Sequence, residues 1–292
     1  MLNRQKCLLF MIETAGRPVT RLELTKWAFL LAHEMPSRGG SSFYQFVPYQ
    51  YGPYSFCLRQ EVGALAGHGY VLEDGNSWAL VDDVERPTAG LLSAVRQDAA
   101  RVVHRFVDSP TRALTKHVYS GFPWFTINSR LKPLERRREA RKAAYTVGYE
   151  GWLADGFLNA LLRAGIRCVV DVRHNPTSRR YGFHKSTLAK LCAEVGIDYD
   201  HRPELGIPPE HRRSLRSNDD YEKLFEQYET DTLPRQAAAL QAVAGVMGSK
   251  PTALMCAEAD PERCHRSRLA RAIAERTGLS VCNLGGMHGA NV

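Results

Sequence analysis

The chain has 292 residues, and at about 150 residues per domain this length favours two domains. With 44% hydrophobic and 24% charged residues, the composition argues against a disordered or fibrous chain. The formal net charge of +8 favours a polyanionic partner such as nucleic acid, although it excludes neither an enzyme nor a binding protein.

The sequence also argues against secretion and against membrane insertion. No apolar run approaches the roughly 20 residues that a membrane span needs. The apolar stretch 8–12 is too short for a secretory signal, and Glu13 follows it directly. The seven cysteines are an odd number, and most lie in apolar surroundings, as buried free thiols do. We therefore expect a cytoplasmic protein with reduced thiols and no membrane partner.

The first 85 residues have the pattern of helices followed by a hairpin. A helix is predicted from Arg4 to Thr14. Thr20, with Glu23 three residues later, fits a capping box that begins a second helix. A third helix is centred on 62–66, and 70–81 has two apolar runs around a glycine-containing turn. This order predicts a winged-helix-like domain that binds DNA or a partner.

Two segments of this region resemble the Panacea-type antitoxin domain, which also occurs fused to other domains. They are 21–26, with the sequence RLELTK, and 43–54, with the sequence FYQFVPYQYGPY. The Tyr-Gly-Pro-Tyr end of the second segment is the more distinctive part. The resemblance implies a winged-helix-like interaction module.

Residues 86–142 are predicted to form a helical basic linker. The stretch 91–107 has helical periodicity, and a short helix is expected after Ser109. The stretch 130–142 is dense in arginine, which fits an arm that contacts DNA phosphates. The alternative is a linker helix that its charges keep in solvent. The predicted DNA-binding residues are Arg136, Arg137, Arg138, Arg141 and Lys142.

From residue 143 to residue 292, predicted strands and helices alternate. The strands are expected at 144–147, 168–172, 197–201, 252–256 and 280–284, and the helices at 153–164, 186–195, 221–229, 233–247 and 266–277. Alternation of this kind predicts a mostly parallel, Rossmann-like sheet covered by helices. The fold class is therefore α/β, preceded by a helical domain.

Polar residues follow three of these strands. The first strand runs into Gly148, Tyr149 and Glu150, without the motifs of dinucleotide or P-loop sites. The second ends with an Asp-Val-Arg segment at 171–173. The third opens into a loop at 256–266 that carries two thiols, a carboxylate, an imidazole and a guanidinium. Because α/β sheets bind ligands at the carboxyl ends of their strands, we expect these groups to converge.

The same three segments resemble the domain-of-unknown-function family 488. The resemblance covers 144–284, about half of the chain, and its motifs occur in the family's order. The matching segments are 145–149 (YTVGY), 171–173 (DVR), 176–178 (PTS), 204–206 (ELG) and 256–266 (CAEADPERCHR). The resemblance implies the fold and the place of the site, but not a reaction.

The residue types at this edge favour chemistry on a nucleoside. A carboxylate beside a sugar stabilises an oxocarbenium-like transition state or activates water. Arginines hold phosphates, and aromatic side chains stack on an extruded base. The aromatic side chains expected to stack are Tyr149, Trp152, Tyr181 and Phe183. We predict a DNA glycosylase that removes a non-standard or modified base from double-stranded DNA, a role compatible with defence against foreign DNA. Its predicted catalytic residues are Glu258, Asp171 and His265. The predicted substrate-binding residues are Tyr149, Glu150, Arg173, Arg179, Arg180, Tyr181, Cys256, Cys264 and Arg266.

No metal and no cofactor are predicted. The seven residues between Cys256 and Cys264 match none of the usual short zinc spacings. A thiolate at Cys264, beside His265 and a helix N-terminus, is a second possibility. We prefer the interpretation that both thiols pack the loop. The alternatives for the whole chain are a non-catalytic DNA-binding regulator with a nucleotide-sensing domain, a metal-dependent nuclease and a thiol-dependent enzyme.

Overall fold

The computed structural model describes residues 1–82, 87–212 and 215–285. The chain divides into two units, Met1–Arg136 and Arg137–Val292. Within the residues described, none of the helices combines the length and the apolar character that a membrane span requires.

The first unit contains the predicted winged-helix-like arrangement. Strands β1, β5 and β4 form one antiparallel sheet in that order, and three helices precede the hairpin. The Thr20 hydroxyl accepts from the Glu23 amide while the Glu23 carboxylate accepts from the Thr20 amide, so the predicted capping box is confirmed. The elements are α1 (Asn3–Ala15), β1 (Val19–Thr20), α2 (Arg21–Glu34), β2 (Val47–Tyr49), β3 (Gly52–Tyr54), α3 (Phe56–Gly67), β4 (Val71–Asp74), β5 (Ser77–Leu80), α4 (Ser93–Phe106) and α5 (Thr111–Gly121).

The segment predicted as a linker is largely part of this unit. Helix α4 packs on α1 and α2, and α5 packs on α2. The prediction of a helix over 130–142 is wrong, since the structure shows irregular chain there. Pro133 lacks an amide proton, and the Leu134 amide donates to the Thr126 hydroxyl at 2.7 Å rather than within a helical turn.

The small hairpin of β2 and β3 was not predicted, because Pro48 and Pro53 face each other in it. Proline is tolerated here because a two-stranded ladder consists of edges. At its turn, Gly52 has φ +96°, and a Cβ there would lie 2.8 Å from the Tyr119 ring and 3.1 Å from Lys26 Nζ. The close packing of α2 and α5 around Gly52 therefore explains the glycine of the Tyr-Gly-Pro-Tyr segment.

Lys26 is buried in this unit and gives stability a distinctive pH dependence. Its ammonium donates to the Tyr51 carbonyl at 2.7 Å, and burial lowers the pKa of Lys26 from 10.5 to about 8. Between these values the unfolded chain holds more protons, so stability rises with pH. Relative to Lys26→Met, the wild-type free energy of unfolding should increase between pH 8 and 10.5 by on the order of 3 kcal/mol. Urea unfolding of both proteins across this range tests the prediction, and parallel pH profiles would contradict it.

The second unit is built on one parallel sheet of five strands, as predicted. The spatial order is β10-β6-β9-β7-β8, and every neighbouring pair is parallel. The elements are β6 (Ala144–Gly148), α6 (Ala154–Arg163), β7 (Cys168–Asp171), α7 (Lys185–Glu194), β8 (Asp198–His201), α8 (Asn218–Gln227), α9 (Leu233–Arg235), α10 (Ala237–Ser249), β9 (Thr252–Cys256), α11 (His265–Thr277) and β10 (Val281–Leu284). The helix predicted at 233–247 begins instead as the single turn α9, which follows a π-helical turn at Tyr228–Thr232.

The core of the second unit reaches the carboxyl ends of the strands. One cluster of buried residues joins alternate positions of β7 and β9 to α8, α10 and α11. Cys256 and Cys264 belong to this cluster and are each about 1% exposed. The loop after β9 is thus anchored in the core at both of its ends, and this anchoring fixes the site described next.

Candidate functional site

Three adjacent strand ends form the site. In the parallel register, Gly148 of β6 pairs with Cys256 of β9, and Met255 of β9 pairs with Asp171 of β7. The polar segments predicted to converge therefore lie side by side at one edge of the sheet. A cleft of about 220 Å³ opens at this edge. Its lining consists of Tyr149, Arg173, His174, Asn175, Thr177, Ile207, Pro209, Arg212, Cys256 and Ala257.

Gly148 and Glu150 hold the loop that follows β9. A Cβ on Gly148 would overlap the carbonyl oxygen of Glu258, so glycine is required for the loop to cross β6. The Glu150 amide donates to the Ala257 carbonyl at 2.9 Å, and its carboxylate accepts from the Ala259 amide at 3.0 Å. Glu150 therefore braces the loop from its exposed side and is not a carboxylate of the cleft.

Asp171 is fully occupied by protein donors. Arg173 donates to both carboxylate oxygens, at 2.9 and 2.6 Å, and the Tyr199 hydroxyl donates at 2.5 Å. The hydrogen bonds and charge of Asp171 outweigh burial and raise the pKa of Arg173. Burial and the same carboxylate raise the pKa of Tyr199. The oxygens of Asp171 are committed to this network, which supports the end of β7, and the catalytic role of Asp171 stays a prediction.

Arg173 and Arg266 are also committed within the protein. Arg173 is 5% exposed and donates to the Phe183 carbonyl as well as to Asp171. Arg266 is 2% exposed and donates to the carbonyls of Glu258 and Ala259, at 2.6 and 3.1 Å. Both arginines therefore hold the strand ends and the loop, and their contact with phosphate stays a prediction.

Glu258 occupies the centre of a polar cluster beside the cleft. One carboxylate oxygen accepts from Arg212 at 2.7 Å, and the other lies 3.0 Å from the sulfurs of both Cys256 and Cys264. Burial raises the pKa of Cys264, which keeps this thiol protonated as a donor. The Glu258 side chain is 28% exposed, in contrast to the fully buried Asp171. Glu258 is therefore the predicted carboxylate best placed to reach a substrate.

The hydrogen bonds of His265 define its tautomer. Arg212 lies 3.0 Å from Nδ1, and because a guanidinium only donates, Nδ1 must accept. Nε2 consequently carries the proton and donates to the Val172 carbonyl at 3.0 Å. His265 is completely buried, so we assign it to positioning Arg212 rather than to the predicted proton transfer.

Arg212 is the functional residue that sequence reasoning missed. It ends the 3₁₀ turn Pro209–Arg212 and contacts both Glu258 and His265. Burial lowers the pKa of Arg212, but the charge of Glu258 outweighs it and raises this pKa above its ordinary value. The sequence signal that could have located Arg212 is Gly206, because a Cβ at this position would overlap the His174 backbone nitrogen. This glycine brings the 206–212 loop onto the end of β7.

Of the aromatic side chains expected to stack on a base, Tyr149 lies in the cleft wall. Its ring stacks on Phe183 with centroids 4.3 Å apart, and Phe183 is itself fully buried. Trp152 is 5% exposed, so neither Trp152 nor Phe183 presents a free face to a base. Tyr181 is 38% exposed, on the same loop as the exposed Arg179 and Arg180.

The basic segment contains one structural arginine among exposed ones. Arg137 donates to the carbonyls of Gly196 and Ile166, at 2.6 and 2.7 Å, near the C-terminal ends of α7 and α6. Burial and the nearby Arg167 lower the pKa of Arg137 to about 10. Arg137 therefore holds the chain segments that follow α6 and α7, and its contact with DNA stays a prediction. The other four predicted DNA-binding side chains, Arg136, Arg138, Arg141 and Lys142, are exposed.

The family model described as "Domain of unknown function DUF488" matches residues 154–273. The match confirms the resemblance predicted for the C-terminal half, and it includes β7, the β9 loop and most of α11. No curated protein and no solved structure matches the chain.

Proposed function

We propose that this protein is a DNA glycosylase-type hydrolase that removes a non-standard or modified base. The observation that carries the proposal is the position of Glu258. It bonds to Arg212 and Cys256, which both line the cleft, and it keeps partial exposure. A carboxylate in this position can direct water to a sugar or stabilise positive charge that develops on it.

The volume and the lining of the cleft support a single base as the bound group. Its volume of about 220 Å³ is below the roughly 300–1,000 Å³ of sites for larger ligands. Tyr149 provides an aromatic wall that its stacking on Phe183 holds in place. Asn175 and Thr177 add polar groups that can hydrogen-bond to the edge of a base.

Phosphate contacts are assigned to the exposed part of the β7 loop. Arg179 and Arg180 are exposed, and they follow the cleft residues His174, Asn175 and Thr177 along the same loop. Guanidinium groups suit phosphate recognition because they donate in pairs. Arg180 donates in addition to the Trp152 carbonyl at 3.3 Å, which orients this part of the loop.

The proposed step is hydrolysis of the N-glycosidic bond. Water attacks C1′ of the deoxyribose and transfers one proton to Glu258. The bond from C1′ to the base nitrogen breaks with its electrons on the base, which takes up a proton from solvent water, and Glu258 then returns its proton to solvent. Arg212 lines the cleft and donates to the Glu258 carboxylate at 2.7 Å, which orients this group before attack.

The test is incubation of the full chain with plain and base-modified double-stranded DNA, followed by alkali and a sizing gel. We expect breaks in modified DNA that depend on alkali, because alkali cleaves at abasic sites. Breaks without alkali would contradict base removal and indicate a nuclease. Shifted but intact DNA would indicate the non-catalytic regulator, and a base of changed mass that stays attached would indicate hydrolysis on the base ring.

We also expect the exposed basic residues to contribute to DNA affinity. Changing Arg141 and Lys142 to Ala should reduce the slope of log affinity against log salt by roughly 2, because each phosphate contact contributes about 0.9. Fluorescence anisotropy over a salt series measures this slope. The control changes Lys190 and Arg276, exposed residues of α7 and α11, and should leave the slope unchanged. Equal slopes for the two variants would contradict a DNA-contacting arm.

A further inference from the structure

Three metal-ligating side chains meet in the core behind the cleft. The ligand atoms of Cys256, Cys264 and His265 all lie within 4.8 Å of one another, and all three residues are buried. Cys264 Sγ is 4.0 Å from His265 Nδ1. The seven residues between Cys256 and Cys264 therefore do not prevent zinc binding, because the loop folds back and brings the two thiols together.

The imidazole is already oriented as a metal ligand. Nε2 donates its proton to the Val172 carbonyl at 3.0 Å, which leaves Nδ1 unprotonated at 4.0 Å from Cys264 Sγ. Metal-bound histidines are held in this manner, with the second ring nitrogen donating to a carbonyl or carboxylate.

The loop between the thiols is held independently of any ion. The Ser267 hydroxyl donates to the Pro261 carbonyl at 2.5 Å, and the Asp260 carboxylate accepts from the Glu262 amide at 2.9 Å. Arg266 binds the two carbonyls at the start of the loop. These bonds fix the turn Pro261–Arg263 that returns Cys264 to Cys256.

We propose that Cys256, Cys264 and His265 bind a zinc ion whose fourth coordination position faces Glu258. Two thiolates and an imidazole are ligands that select zinc over magnesium or calcium. Binding releases the two thiol protons, and the two thiolates balance the charge of the ion. Glu258 remains paired with Arg212, so the assembled site carries no net charge.

Arg212 is the group that must move. Its Nη2 donates to the Nδ1 lone pair that the ion needs, whereas its Nη1 bonds separately to Glu258. Zinc binding therefore exchanges one hydrogen bond of Arg212 for one coordination bond. Removing this competitor with Arg212→Gln should preserve or strengthen zinc binding.

The experiment measures metal directly on the full chain and does not depend on DNA or on activity. Protein purified without chelator is analysed by elemental mass spectrometry, then stripped and titrated with zinc or cobalt. We expect about one zinc per chain, and cobalt should produce a thiolate-to-metal charge-transfer band. Cys256→Ser, Cys264→Ser and His265→Ala should each lose at least nine-tenths of the metal. Cys282→Ser, at a half-buried thiol outside the cluster, should keep it.

Cobalt binding by the wild-type chain keeps the test decisive if a variant fails to fold. A wild-type protein and an Arg212→Gln variant that both remain metal-free, and that show no charge-transfer band at saturating cobalt, would overturn the proposal. Full metal content in the three cluster variants would also overturn it. A wild-type protein that binds zinc but releases no base would contradict the proposed function and leave the zinc site supported.

Discussion

Glu258→Gln is expected to abolish base release while leaving DNA binding unchanged. The substitution keeps the size of the side chain but replaces one acceptor oxygen by an amide donor and removes the charge that directs water or stabilises the sugar cation. Positioned acid or base groups contribute about 10²- to 10⁴-fold in rate, and we expect a loss of this size. Single-turnover base release and anisotropy with the same DNA provide the two measurements.

The matched control for this variant is Glu262→Gln on the same loop. Glu262 is exposed, and its carboxylate contacts Arg271 at 3.3 Å, away from the thiols and Arg212. The Glu262→Gln variant should retain the wild-type rate of base release. Full activity in Glu258→Gln would remove Glu258 from the reaction, and an equal loss in both variants would indicate a general disturbance of the loop.

Asp171→Asn should cause the largest loss of stability among single polar substitutions in the site. Arg173 would keep its buried charge without a charged partner, and breaking a buried ion pair costs about 3–5 kcal/mol. Tyr199 would lose its charged acceptor as well. Hydrogen exchange of peptides from β7, measured by mass spectrometry, reports the free energy of opening in this unit.

The comparison for Asp171 is Asp200→Asn on the neighbouring strand β8. Asp200 pairs with Arg202 at 2.7 Å, but the two side chains are 36% and 32% exposed. Exposed pairs contribute about 0.2–1 kcal/mol, so this variant should exchange nearly as slowly as the wild type. Equal effects of the two substitutions would show that the buried pair does not support the strand end.

The architecture of both units could be predicted from local signals. Apolar runs alternating with amphipathic stretches located the five strands of the second unit, and the capping box at Thr20 located the start of α2. The secondary structure of two segments was not predicted correctly, because their proline and arginine residues do not specify a local conformation. Pro48 and Pro53 obscured a two-stranded hairpin, and the arginine-rich stretch 130–142 allowed a linker helix that the structure does not show.

The position of the site at the strand ends could be predicted from the sequence, but the roles of the individual residues in the site could not. Sequence puts Asp171 and Arg173 at a strand end without showing that they bind each other rather than a ligand. Arg212 was missed because its position depends on the tertiary path that Gly206 allows. The approach of Cys264 to Cys256 similarly depends on a turn held by distant side chains, so spacing alone was misleading.

Release of a base from DNA at the cleft beside Glu258 can be measured by mass spectrometry. The wild-type chain is incubated with double-stranded DNA carrying a panel of modified bases, and the small molecules formed are analysed. We expect one or more free modified bases in solution, with an equal number of abasic sites in the DNA and none with Glu258→Gln. Binding of the same DNA without any released base across the panel would contradict this expectation.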